Sequence, residues 1–488
     1  MATDSNGHQQ VGSITHEVYI VLRHNVKWVS LSQCFKISCQ LLGLVVFARY
    51  LTPEEIGVMS LTLVVVNFVN ILRDMGSSAA IIQRVYIDDR LKNSVFVFNV
   101  LIGCFLFFIF YFLSNDISSF FKKVELAGTI KAISFAFIFN SVTSVHLALL
   151  ERASKFKVVA IIESFSSIIS LLFGIALAIK GFGVYSLVGQ TLMYSLLTSI
   201  MFHMFSGWKP AFTFDFRDIK SIFNFSSNIV AFNFVNFFSR NSDQIIIGKF
   251  FSASILGQYS MAYKVMLFPI QSVTAVLTRS LYPVLSRLQE SKQDALSAYL
   301  NVLKVISLVV TPMMLGLSSV SHELVNIAFG KQWVLLPNLL TWLSIVGILQ
   351  AMVSTTGSVF MSQGDARTLF IISVFNSILQ VGSFIIGVNY NIETLVILYM
   401  IANFIMFLPN MYLSVKTLNG SILDVLRCVY KPVFSGVIMF ISIKVLSCFS
   451  LHFSNVSFLL IKIGFGFLVY TSLILFLDRK LVKMIFKM

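Results

Sequence analysis

Long apolar runs separated by short polar segments fill the chain from residue 28 onward. A helix rises 1.5 Å per residue and the hydrocarbon core of a bilayer is about 30 Å thick, so about 20 apolar residues make one crossing. That ruler picks out fourteen runs: 28–48, 56–72, 94–114, 130–150, 158–179, 184–205, 221–239, 255–278, 298–320, 334–362, 367–388, 391–415, 430–449 and 456–477. The run 221–239 is the least apolar, being rich in Asn and Ser, and 334–362 is long enough to tilt or bend. The pattern predicts an all-α polytopic membrane protein of about fourteen transmembrane helices.

Charge placement orients these helices. With the N-terminus in the cytoplasm, Lys and Arg outside the spans favour the cytoplasmic side by roughly three to one, along the whole chain. Both termini are expected inside. The longest connections, 73–93 and 279–297, fall on the cytoplasmic side, and no soluble domain fits anywhere. The composition agrees: 57% of the residues are hydrophobic, 12% are charged and the mean hydropathy is +0.86. A soluble chain is about a quarter charged.

The net charge of +15 does not indicate nucleic-acid binding, because the basic residues punctuate apolar runs instead of forming one patch. The five cysteines form no CxxC pair and lack His at ligand spacing, so they read as small hydrophobes. Residues 1–27 are polar, and the run after them carries Gln33, Lys36 and Gln40 without a small-residue cleavage pattern. It reads as a retained first helix, not a signal peptide.

Residues 49–60, RYLTPEEIGVMS, resemble residues 249–260, KFFSASILGQYS, at an offset of 200. Both stretches precede a span, six spans apart, on the same expected side. An even separation predicts a parallel repeat: two six-helix lobes related by an axis along the membrane normal, plus two C-terminal helices. The expected organisation is a cytoplasmic segment 1–27, an N-lobe 28–206, a cytoplasmic linker 207–220, a C-lobe 221–415, and helices 13–14 with a cytoplasmic tail over 416–488.

Polar residues recur at helical spacing inside the spans. Gln33, Lys36 and Gln40 share one face; Asn67, Asn70 and Asp74 share another, with Arg73 beside them; Asn233, Asn236, Arg240 and Asp243 line up; so do Lys264 and Gln271. Glu163 and Lys304 complete the set. Ser, Thr, Asn and Gln in membrane helices commonly bond across helix contacts, and Arg240 and Asp243 can pair with each other. Lys131, Lys444 and Lys462 lie near span ends and are expected to snorkel. Lys36 and Lys264 sit deeper, where a charge costs a few kcal/mol unless kept off lipid. The functional reading is a cavity of cationic and amide groups suited to an anionic, sugar-bearing lipid, with Glu163 as a possible cation-coupling acid. Pro269, Pro312 and Pro409 are candidate kinks. No phosphate-binding GxxxxGK[ST], HExxH, Cys/His cluster or paired carboxylates occur. No enzymatic activity, metal or cofactor is expected.

Several stretches carry a family resemblance. FARYLTPEEIGVMSLTLVVVNFVNILRDMGSSAAIIQR (47–84) resembles the helix-two signature of Wzx-type polysaccharide exporters in the multidrug/oligosaccharidyl-lipid/polysaccharide superfamily. SRNSDQIIIGKFFSASILGQYSMAYKVMLFPIQSVTAVLTRSLYPVLSRLQ (239–289) resembles their second-lobe core, as do FGKQWVLLPNLLTWLSIVG (329–347) and STTGSVFMSQGDARTLF (354–370). The colanic-acid-exporter-like subgroup is the nearest in kind. The resemblance implies a MATE/MurJ-like two-lobed flippase in a bacterial inner membrane. It would carry an undecaprenyl-diphosphate-linked oligosaccharide from the cytoplasmic to the periplasmic leaflet by alternating access, for O-antigen, capsule or exopolysaccharide synthesis. A polysaccharide polymerase and a chain-length regulator are the implied partners. The competing readings are a cation-coupled multidrug antiporter of the same superfamily and a membrane-embedded glycan polymerase or ligase. The first needs an acidic site in the first lobe, for which Glu163 is the candidate. The second needs a large catalytic loop, and none is long enough here.

Overall fold

The computed structural model describes residues 28, 32–33, 35–74, 81–82, 84, 86–211, 213–449 and 455–478, and is all-helical over them apart from short turns. Two compact units divide the chain, 1–241 and 242–488. The first holds α1 (residues 35–50), α2 (Pro53–Asp74), α3 (Asp89–Phe121), α4 (Glu125–Ile133), α5 (Phe135–Arg152), α6 (Phe156–Ile179), α7 (Val184–Phe205) and most of α8 (Phe216–Phe250). The second holds α9 (Ala253–Arg287), α10 (Lys292–Ser319), α11 (Ser321–Ala328), α12 (Leu336–Val353), α13 (Thr356–Ser362), α14 (Ala366–Gly387), α15 (Ile392–Thr417), α16 (Ile422–Cys448) and α17 (Asn455–Leu477).

Eleven helical segments among the described residues are long and apolar enough to cross a membrane. The other three expected spans correspond to α1, α8 and α9. α8 is diluted by Asn and Ser, and α9 by Lys264, Gln271 and Pro269, which lowers their apolarity without stopping the helix. α8 is also longer than the run 221–239 that announced it.

The repeat is visible in backbone detail. The amide of Leu51 bonds to the Phe47 carbonyl at 2.8 Å, and the amide of Phe251 bonds to the Ile247 carbonyl at the same distance. The next helices start at Pro53 and Ala253. Each start is capped by a hydroxyl: Thr52 accepts from the Glu55 amide at 3.3 Å and Ser252 from the Ile255 amide at 3.2 Å. The Glu55 carboxylate returns a bond from the Thr52 amide at 2.7 Å, closing a capping box.

In the first unit, α6 packs on α7, and α3 and α7 pack on α5. A Cβ at Gly103 would lie 2.2 Å from the Ser141 hydroxyl, so α3 approaches α5 as closely as a residue without a side chain allows. In the second unit, α10 packs on α12 and α16, α14 on α15, and α16 on α17. Large side chains fill its centre, among them Tyr259, Tyr299, Trp333, Phe360, Phe384 and Tyr399.

Hydroxyls inside these apolar helices are satisfied locally. Ser60, Thr62, Ser134 and Ser141 each donate to the carbonyl four residues back, at 2.6–2.9 Å. Amides bridge helices: Asn99 donates to Ser144 at 2.8 Å, and Asn410 to Asn376 at 2.9 Å. The run expected at 334–362 is broken between α12 and α13. There the Thr355 hydroxyl donates to the carbonyl of Met352 at 2.7 Å and lies 3.4 Å from the buried Tyr299 hydroxyl. The crossing at 125–152 is interrupted in the same way at Ser134, between α4 and α5.

Candidate functional site

The α1 stripe is placed as a polar face. Gln33 and Gln40 are exposed, while Lys36 is half-buried and forms an ion pair with Glu163 of α6. Side-chain exposures of 23% and 22% leave both groups of this pair partly buried within the first unit. The residue expected to meet an anion and the residue expected to meet a cation are therefore each other's partners. Glu163 also anchors the next turn of α6, where Ser167 donates to its backbone carbonyl at 2.7 Å.

On α2, Asn67 is exposed, and Asn70 and Arg73 are half-buried. The Asn70 carbonyl oxygen is buried and accepts no hydrogen bond among the described residues. The Asp74 side chain lies outside the described residues. Phe68 packs against Phe234, Phe237 and Phe238, with ring centroids 5.4–5.9 Å apart. The α2 stripe and the α8 stripe therefore ride on adjacent helices. Along α8, Asn233 and Arg240 are exposed and Asn236 is half-buried.

Asp243 is different. It is buried in the second unit, accepting from the Tyr259 hydroxyl at 2.9 Å and from the Gln244 amide at 2.7 Å. Tyr259, not Arg240, is its partner. On α9, Lys264 and Gln271 are exposed. Lys304 is half-buried on α10 and shares Asp478 with Lys431, at 3.2 and 3.1 Å. Asp478 lies just beyond α17. Burial pushes its carboxyl up, but hydrogen bonds from Lys431 and Lys304 outweigh that and hold it below the usual value. Its stabilising contribution is present near neutral pH and lost as the pH falls through that depressed value.

Three features escaped the sequence reading. Lys462 does not snorkel: it is 1% exposed, pairs with Glu323 and lies 4.4 Å from the Phe458 ring centroid. His146 and His203 meet at 3.2 Å, and His146 also meets Ser206 at 2.8 Å. Tyr399 accepts from Gln350 at 2.6 Å beside the Asp243 region. Each joins residues on separate helices, and only the polar residue types themselves could have flagged them. Lys131 and Lys444 lie over the rings of Tyr111 and Phe440, at 6.0 and 5.8 Å. Among the described residues, no group of three or more His, Cys, Asp or Glu could hold a metal ion.

Comparison with known proteins adds family to geometry. The chain is 29% identical over 349 residues to the teichuronic acid biosynthesis protein TuaB of Bacillus subtilis, covering 70% of this chain and 72% of that one. It is 22% identical over 467 residues to the succinoglycan biosynthesis transport protein ExoT of Rhizobium meliloti, covering 95% and 94%. Its fold matches that of the lipid II flippase MurJ in an inward closed conformation, with a TM-score of 0.75 at 19% identity over 93% of this chain and 99% of that one. A model of one protein family, described as polysaccharide biosynthesis protein, matches residues 46–337. This multi-pass, all-helical chain belongs to the polysaccharide biosynthesis protein family.

Proposed function

We propose that the protein flips a lipid-linked oligosaccharide across the membrane. One observation carries the reading: helices expected to lie in the membrane expose Lys264 and the amides Gln33, Gln40, Asn67 and Asn233, with Arg240 exposed just beyond the expected span 221–239. A cation facing hydrocarbon costs a few kcal/mol or more. Such faces are tolerated where they meet water or a polar ligand. Ammonium and guanidinium groups bind phosphate, and amides bind sugar hydroxyls. The relatives' names, teichuronic acid biosynthesis and succinoglycan biosynthesis transport, support the glycan part.

In its full form the reading is an undecaprenyl-diphosphate-linked repeat unit. It moves from the cytoplasmic to the periplasmic leaflet of a bacterial inner membrane by alternating access of an N-lobe (28–206) and a C-lobe (221–415). A polymerase and a chain-length regulator would act on the product. No covalent step is needed. The antiporter reading requires Glu163 to receive a cation, and its pairing with Lys36 weighs against that.

Proteoliposomes loaded with a fluorescent polyprenyl-diphosphate oligosaccharide test the proposal. Protein-containing vesicles are expected to expose the inner-leaflet probe to an external reagent, with the probe recovered uncleaved. Exposure no faster than in protein-free vesicles rejects the reading. Topology gives a separate check. A reporter fused after Leu288 is expected to read cytoplasmic and one after Gly330 periplasmic, and the reverse pattern overturns the orientation.

A further inference from the structure

In the first unit, α5, α6 and α7 border an open cleft of about 430 Å³. Phe135 and Phe139 form one wall, Phe173 and Leu177 the second, and Leu192 and Leu196 the third. No charged or hydrogen-bonding side chain lines it. At its floor Gly189 keeps α6 and α7 close, since a Cβ there would lie 2.6 Å from Leu177 Cδ1. The cleft is open at the surface: Phe135 is 46% exposed and Phe173 38%.

Its height in the membrane follows from the helix ends. α6 ends at Ile179 and α7 begins at Val184, so lining residues 173–177 and 189–196 lie within about 20 Å of that turn. The α7 lining starts about 8 Å and ends about 18 Å from that turn, so the cleft lies mainly in the leaflet on the side of the α6–α7 turn. A polar solute has no partner for its hydrogen bonds there. An empty cleft forfeits dispersion contacts along its walls. The occupant is a hydrocarbon chain, and residues 189–196 rise about 10 Å, within the roughly 15 Å of a single leaflet.

Charge identifies the other end of that molecule. Lys131 stands one helical turn before Phe135, half-buried, with its ammonium 6.0 Å from the Tyr111 ring centroid. Lys180 caps α6 three residues beyond Leu177 and is exposed. The Tyr185 hydroxyl reaches Gly128, where an added Cβ would lie 2.3 Å away, so the start of α4 and the start of α7 share this end of the unit. Lys131 and Lys180 thus lie toward the same end of the unit as the α6–α7 turn, where the Glu55 carboxylate also reaches Gly183.

We infer that this cleft is a binding site for one acyl chain of an anionic glycerophospholipid, whose phosphate is held by Lys131 and Lys180. The single-leaflet length favours a membrane phospholipid over a longer polyprenyl carrier. The site is independent of the transported lipid, so its failure would leave the flippase reading untouched.

Native mass spectrometry of the delipidated full-length protein, titrated with phosphatidylglycerol or phosphatidylcholine of identical chains, tests this. The wild type is expected to retain phosphatidylglycerol in preference to phosphatidylcholine, by about fivefold for each lysine. The double variant Lys131→Gln/Lys180→Gln is expected to lose the preference but still hold lipid. Leu192→Trp fills the cleft and is expected to displace both lipids. In case Leu192→Trp fails to fold, a photoreactive amino acid at position 192 of the otherwise native chain is expected to label phosphatidylglycerol. Equal retention of the two lipids by the wild type overturns the proposal. So does a preference that survives loss of both lysines, or labelling of added polyprenyl phosphate in place of phosphatidylglycerol.

Discussion

Lys264→Ala is expected to cut surface glycan export by at least tenfold while the protein remains inserted at its normal level. Lys264 lies in the first half of α9 and is exposed there. An ammonium on a membrane helix persists only off lipid. If it meets the phosphates of the carried lipid, its removal costs a charge-assisted bond of about 1.5–3 kcal/mol, which corresponds to roughly ten- to a hundredfold. Lys264→Arg keeps the charge and should retain most of the export. Polysaccharide staining normalised to membrane protein is the measurement, and normal staining of Lys264→Ala would remove this residue from the substrate path.

Lys36 needs a different comparison, because its carboxylate partner makes the single variant ambiguous. Lys36→Ala leaves Glu163 half-buried without its cation, so lost export can reflect either missing substrate contact or an unpaired acid. The double variant Lys36→Ala/Glu163→Gln separates them. Restored export means that the pair only holds α1 to α6; export that stays low means that Lys36 itself meets the substrate.

These ambiguities show what the sequence can carry. Helix positions were legible because lipid demands one long apolar run per crossing, and the 200-residue offset was legible because Phe47–Ser60 and Ile247–Ser260 repeat the same turn and cap. The partnerships were not. Lys36 and Glu163 are 127 residues apart and Lys462 and Glu323 are 139 apart, so no local period connects them. Helical spacing placed Asp243 on the α8 stripe with Arg240 but could not reveal that Tyr259 claims it. It placed Lys462 near the end of a span, where snorkelling is the ordinary outcome, but not beside a helix offering a carboxylate. The length of the run 334–362 allowed a bend, but nothing in its spacing placed the break at Ser354–Thr355. At the break the Thr355 hydroxyl turns back to the Met352 carbonyl at 2.7 Å and meets the Tyr299 hydroxyl of α10 at 3.4 Å.

Lys462→Met is expected to destabilise the protein by about 2–3 kcal/mol, a fall of several degrees in the thermal unfolding midpoint in detergent. The lysine is 1% exposed and its partner Glu323 is 24% exposed. Removing the cation leaves a carboxylate that water reaches only in part, so the cost should fall short of the 3–5 kcal/mol typical of a fully buried pair. The pair joins α11 to α17, and Asp478 ties the far end of α17 to Lys304 and Lys431. The last helix is therefore pinned by charge near its start and just beyond its end, with Tyr470 and Ile474 between the two sites and Leu459 before them, packed in one cluster with Met439 and Ile443 of α16. Methionine matches the length of the lysine stem and keeps the contact with Phe458, so the loss reports the charge and not a cavity. Lys462→Met/Glu323→Gln removes both charges and should recover most of the stability, because exchanging a buried pair for neutral groups of similar volume is often close to neutral. A double variant as unstable as the single one would assign the loss to packing. An unchanged midpoint in Lys462→Met would show that the pair contributes nothing measurable to the seat of α17.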